Sequence, residues 1–153
     1  MATQESDIDI LNGLIETTID SADGYAQAAE TATEAGGNAD LVTMFHRFGS
    51  ERQTAVAALR AQVVVLGGTP EDDGSLLASA HRSFLKLKSL FGSSRERIIE
   101  EVESGEDHIK HKYEDAMKQD LSPSTHSVIS KAYETVRKGH DTVRDMKRAH
   151  KAA

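Results

Sequence analysis

Apolar residues along this chain recur at spacings of three and four, not two, in long runs broken by short polar clusters. That spacing gathers them on one face of an α-helix, which turns about 100° per residue. The breaks are "GGNAD" at 36–40, "GGTPEDDGS" at 67–75, "GSS" at 92–94 and "LSPS" at 121–124, and they cut the chain into five helical segments. The first is predicted over about 7–35, with Ile8, Leu11, Ile15, Ile19, Ala22, Ala26 and Ala29 on its apolar face. The second, about 40–66, carries Leu41, Met44, Phe48, Ala55, Leu59 and Leu66. The third, about 75–91, is shorter, with Leu76, Ala80, Phe84, Leu87 and Phe91 on one face and His81, Arg82, Lys86 and Lys88 on the other. The fourth, about 94–119, has Ile98, Val102, Ile109, Tyr113 and Ala116; the fifth, about 123–149, has Ile129, Ala132, Val136 and Val143.

Each break carries the chemistry of a helix end. Gly36 and Gly67 suit the left-handed conformation that follows a helix, and Asn38 or Asp40 suits the cap of the next one. Ser93 and Glu96 have the spacing of a capping box, and Ser122 precedes a proline at the first helical position. Short first and last connections with a long middle one predict two hairpins joined by a crossover that carries the short third helix. That is the ferritin-like arrangement of a four-helix bundle, expected here as a single domain over 1–153. An up-down bundle with the third segment docked on its side is the alternative.

Composition narrows the function. The 153 residues include no Cys, which excludes disulfides and thiolate chemistry and fits a reducing, cytoplasmic setting. A net charge of −7 argues against nucleic acid or an anionic membrane as partner. No stretch approaches the roughly 20 apolar residues that span a bilayer, and the N-terminus has no signal-peptide pattern.

The most conspicuous polar stretch is "EEVESGEDHIKHKYEDA" at 100–116. With Val102 at the centre of the fourth segment's apolar stripe, Glu106 falls about 40° away, inside the stripe. Asp107, His108 and His111 fall on the far side. Gly105, beside Glu106, is expected to let another helix come close. Arg52 lies between Phe48 and Ala55 on the second segment's apolar face, and His140 follows Val136 by one turn, after Gly139. On the first segment Glu16, Asp23 and Glu30 border the stripe at seven-residue intervals. Measured from the hairpin turns, Asp23 (or a neighbour), Arg52, Glu106 and His140 reach one depth. A buried polar layer is expected there, paired internally because a lone buried charge is costly.

A ferritin-like di-metal centre needs a Glu-x-x-His on each of two helices. None exists: "ERQT" at 51–54 and "ETVR" at 134–137 carry threonine and arginine in the histidine's place. Arg52 supplies the layer with a cation of its own. The expectation is therefore a structural layer without cofactor, in a protein that is not an enzyme. The alternative is an iron or manganese site or oxidase drawing on Glu16, Asp23, Glu30, Glu51, Glu106 and His140.

Over nearly its whole length the chain resembles a group of bacterial ferritin-like four-helix-bundle proteins classed as a domain of unknown function. The resemblance rests on "LNGLIE" at 11–16, "DGYAQAAE" at 23–30, "LGGTPEDDGS" at 66–75, "HRSFLKLKS" at 81–89, and "GED" at 105–107 with Tyr113. It implies a ferritin-like bundle with no assigned reaction and a link to bacterial stress responses. The histidine positions depart from those of iron-oxidising ferritins. An unidentified protein partner, or a homodimer through the Ala-rich first helix, completes the expectation.

Overall fold

The computed structural model describes residues 3–74 and 94–152. Among these residues four helices follow one another: α1 (Gln4–Ala35), α2 (Ala39–Val65), α3 (Arg95–Met117) and α4 (Pro123–Ala152). The short helix expected at 75–91 lies outside the described residues. None of the helices is long and apolar enough to cross a membrane, among the residues described.

The termini explain the departures from the expected bounds. α1 starts three residues earlier than its apolar pattern because Thr3 and Ser6 form a capping box. The Ser6 amide donates to Thr3 Oγ1 at 3.0 Å, and the Thr3 amide to Ser6 Oγ at 3.3 Å. This satisfies two amides that a helix start otherwise leaves open. Asn38 caps nothing ahead of it. Its Nδ2 reaches back to the carbonyls of Ala32 (3.3 Å) and Gly36 (3.0 Å), so it closes the helix behind. The cap of α3 is Ser94, whose hydroxyl accepts from the Arg97 amide; Ser93 lies outside the described residues.

The apolar faces also shift. Ala26 is exposed and Met44 only partly buried, while Tyr25, Ala28, Ala32 and Phe45 are buried. The stripe on α1 runs through Leu11, Thr18, Tyr25 and Thr31 with Ala32, a seven-residue drift that the four-residue step from Ala22 to Ala26 misjudges.

α1 packs on α2 and α3, and α4 packs on α3 and α2, so the helices form a ring in which α2 faces α3 across the middle. Cross-helix contacts give the directions. Asp7 meets Ser122 and Thr18 meets Tyr113, so α1 and α3 run opposite ways. Gln62 meets Thr125, which sets the end of α2 beside the start of α4. Arg95 meets Asp40, which sets the start of α3 beside the start of α2. α2 and α3 are therefore parallel. The chain leaving α2 runs back along α1, with Gly68 against Ile8, Thr69 and Glu71 on Asn12, and Gly74 against Ile19 and Asp20.

The apolar core divides in two. One cluster gathers Leu11, Ile15, Val56, Leu59, Ile109, Tyr113, Ile129 and Val136; the other gathers Tyr25, Phe45, Phe48, Ile98, Val102 and Val143. On every helix the two are separated by the same mid-length interval, and that interval holds the polar layer.

The Asp40–Arg95 pair fastens the two hairpins at one end with hydrogen bonds of 2.7 and 2.8 Å. Those bonds hold the Asp40 carboxyl down at about 2, against an ordinary 3.8. A carboxyl whose pKa is lower in the folded state contributes fully above its unfolded value and loses that contribution as it becomes protonated. Asp40→Asn is expected to abolish the part of the acid destabilisation that falls between about pH 4 and pH 2. Urea melts followed by circular dichroism across that range check it; an unchanged pH dependence would show that the pair does not hold in solution.

Candidate functional site

Arg52 sits on the buried face of α2 and extends across the middle of the molecule to Glu106 on α3. The contact is bidentate: Nη1 to Oε1 and Nη2 to Oε2, both 2.8 Å. The two residues are 1% and 2% exposed, which makes this a fully desolvated ion pair. The planar fork of the guanidinium matches the two carboxylate oxygens, the geometry in which such pairs are strongest.

The other two helices complete the layer. α1 supplies Ser21, whose Oγ accepts from Arg52 Nη1 at 2.8 Å, and Tyr25, whose ring centroid lies 5.4 Å from Arg52 Cζ. α4 supplies Gly139. A Cβ there would stand 2.5 Å from Arg52 Nη2 and 3.3 Å from Glu106 Oε2, so the pair fits only because the side chain is missing. One turn away, the Thr18 hydroxyl gives its proton to the Leu14 carbonyl at 2.6 Å and accepts from Tyr113 at 2.7 Å.

Electrostatics follow from the burial. Desolvation pulls the Arg52 guanidinium down, but the charge and hydrogen bonds of Glu106 outweigh it, and the net shift is upward. Burial, then the Glu106 charge, pushes the Tyr25 phenol well above its ordinary value. Burial takes Tyr113 to about 12. The layer is thus one bidentate ion pair set among hydroxyls.

The remaining site residues fall elsewhere. Asp23 is exposed, and its expected place in the layer is taken by its neighbour Ser21. Ala22 and Tyr25 face inward, which turns Asp23 between them to the outside. Glu30 is exposed, and Glu16 and Glu51 are half-buried on the flanks. His140 is buried but turns away from the ion pair. Its Nε2 lies 2.6 Å from Asp107 Oδ1 and its Nδ1 3.1 Å from Asp141 Oδ1. That hydrogen bond holds the Asp141 carboxyl below its ordinary value.

Asp107 thus meets α4, whereas helix rotation alone turns it to solvent. α3 is packed on both α1 and α4, so its buried sector is wider than its apolar stripe. Gly105 is a second correction: it is exposed, and a Cβ there would meet nothing within 4 Å. The close approach belongs to Gly139. His108 and His111 are exposed. Sequence reasoning also passed over Asp7, 1% exposed, whose Oδ2 accepts from the Ser122 hydroxyl at 2.5 Å. Its position beside the "LSPS" turn is visible only once the hairpins are docked.

Among the described residues the fold is all-α, with four helices around a mid-length ion pair. A family model described as "Domain of unknown function (DUF2383)" matches residues 6–119, well over half of the chain, and the chain belongs to that family. The match runs from the first turn of α1 past the end of α3 and stops before α4, so Gly139 and His140 lie beyond it. No curated protein matches the sequence.

Removing one partner of a buried pair leaves the other charge desolvated and alone, so Glu106→Ala is expected to destabilise the protein by about 3 kcal/mol or more. Gly139→Ala is expected to cost about 1–3 kcal/mol, although alanine is the better helix former, because the locked guanidinium has nowhere to move. Gly105→Ala, in open space, is expected to be neutral or to stabilise by up to about 1 kcal/mol. Guanidinium-chloride unfolding of the three variants checks all of this, and equal effects at the two glycines would contradict the packing at Gly139.

Proposed function

We propose that the protein is a single-domain, ferritin-like bundle in which an ion pair stands where a metal centre would sit, and that it acts without catalysis, through self-association or a protein partner. The ferritin-like reading is supported by the parallel course of α2 and α3. The end of α2 and the start of α3 lie at opposite ends of the molecule, and residues 68–74 run along α1 from the first toward the second.

The observation that carries the non-catalytic reading is the bidentate grip of Arg52 on both oxygens of Glu106. A fixed guanidinium supplies, at Glu106, the positive charge that a metal would bring, and engages both oxygens of that carboxylate. The residues standing in for the missing histidines do not restore a ligand set. Thr54 is exposed, and Arg137 is tied to Glu134 at 2.9 Å and to Asp141 at 3.5 Å. Of the first-helix acids, Asp23 and Glu30 are exposed and Glu16 only half-buried.

Aerobic incubation of the purified protein with Fe²⁺, followed by oxygen consumption and ferric absorbance, tests this. The expected rate is that of buffer alone. Saturable iron oxidation that disappears in Glu106→Ala would overturn the reading. Sedimentation velocity reads self-association in the same preparation, with a dimer expected.

A further inference from the structure

We propose that Glu103 and Asp107 of α3, with His140 of α4, form a binding site for one divalent transition-metal ion, best suited to zinc, on the flank of the α3–α4 hairpin. The site goes beyond the proposed function, since it lies outside the two apolar clusters and leaves the Arg52–Glu106 pair intact.

One ligand atom from each of the three residues can be chosen so that all lie within 4.8 Å of one another. Two carboxylates four apart share one face of α3, and the imidazole comes from the facing helix, so two packed elements supply the set. Ligand atoms around a tetrahedral zinc stand roughly 3.4 Å apart, given bonds of about 2.0–2.1 Å. The 2.6 Å contact between His140 Nε2 and Asp107 Oδ1 is a hydrogen bond across the position an ion would take. An ion entering there replaces the shared proton and spreads the two atoms by under about 1 Å.

What separates this cluster from a patch of surface acids is the imidazole and the way it is held. His140 is 5% exposed, and its second ring nitrogen is engaged by Asp141 at 3.1 Å. A carboxylate on the far nitrogen fixes ring orientation and makes the near nitrogen the better donor, the arrangement found behind histidines that bind metals. Asp141 is itself held by Arg144 at 3.3 Å and Arg137 at 3.5 Å. Burial grades outward, from His140 at 6% of its side chain through Glu103 at 14% to Asp107 at 47%, so the ion enters from solvent past Asp107. Lys147 Nζ, 3.2 Å from Glu103 Oε2, neutralises that carboxylate until an ion takes its place. Three protein ligands leave a coordination position for water. One imidazole with two carboxylates suits zinc ahead of manganese in the order of divalent affinities.

Titration of zinc chloride into the metal-stripped full chain, read by calorimetry and native mass spectrometry, tests the site. One ion per chain is expected. Asp107→Asn and His140→Gln are expected to weaken binding at least about tenfold, and Asp141→Asn, a positioning residue, by about 10–100-fold. Asp107 is half-exposed, so its variant keeps the fold, which circular dichroism verifies. A His108→Ala/His111→Ala double variant is expected to bind as the wild type does. The proposal is overturned if the wild-type chain binds no zinc, if Asp107→Asn binds as tightly as wild type, or if affinity is lost with the exposed histidines instead. Zinc binding without iron oxidation leaves the proposed function standing, and iron oxidation without zinc binding at this site overturns that function separately.

Discussion

Desolvating a guanidinium and a carboxylate together is the constraint around which this molecule is arranged. Each ion costs several kcal/mol to remove from water, and only good geometry with further hydrogen bonds returns it. Arg52 and Glu106 meet that condition from helices that face each other across the core rather than side by side. The pair therefore sets the depth of α2 against α3, and through them the depth of one hairpin against the other. Slippage by a helical turn would strand both charges in apolar clusters. Fixing register is the best-attested use of buried ion pairs.

The two ends are closed by polar junctions of a different kind. At one, Asp7 accepts from Ser122, while Gln62 donates to Ser124 and Thr125, joining the start of α1 and the end of α2 to the start of α4. At the other, Arg95 reaches Asp40 and Asn38, whose own amide group ends α1. Between each junction and the central pair lies one apolar cluster. Side chains from the termini thus do locally what the ion pair does at mid-length, and the four helices are tied at three levels.

Helix facing was legible in the sequence where the residue sits at the middle of a stripe. Arg52 and Glu106 are flanked by apolar residues one turn away on both sides, so elementary rotation turned them inward. Facing was illegible at the stripe's edge, where a few tens of degrees decide. Asp23 is such an edge residue, and the drift of α1 leaves it out; Asp107 lies far round from Val102 and is drawn in because α3 is packed on two sides. The glycines illustrate the same limit. Gly105 and Gly139 each precede a buried polar residue, and nothing local distinguishes them. Only the diagonal reach of the Arg52 side chain, ending against α4, does so. Asp7 and Asn38 were hidden for a further reason: their partners lie in another hairpin or behind them in the chain.

Gly139 carries a consequence for how sequences of this fold can change. Its empty space is the volume that the guanidinium fills, so positions 52, 106 and 139 share one parcel of room and one balance of charge. An apolar residue at 52 alone would orphan the carboxylate, and a side chain at 139 alone would evict the arginine. Replacing the pair by hydrophobic residues would free that space, and a larger residue at 139 would then be welcome. The three positions should drift through related sequences as a single unit, two of them exchanging charge for bulk while the third exchanges emptiness for a side chain.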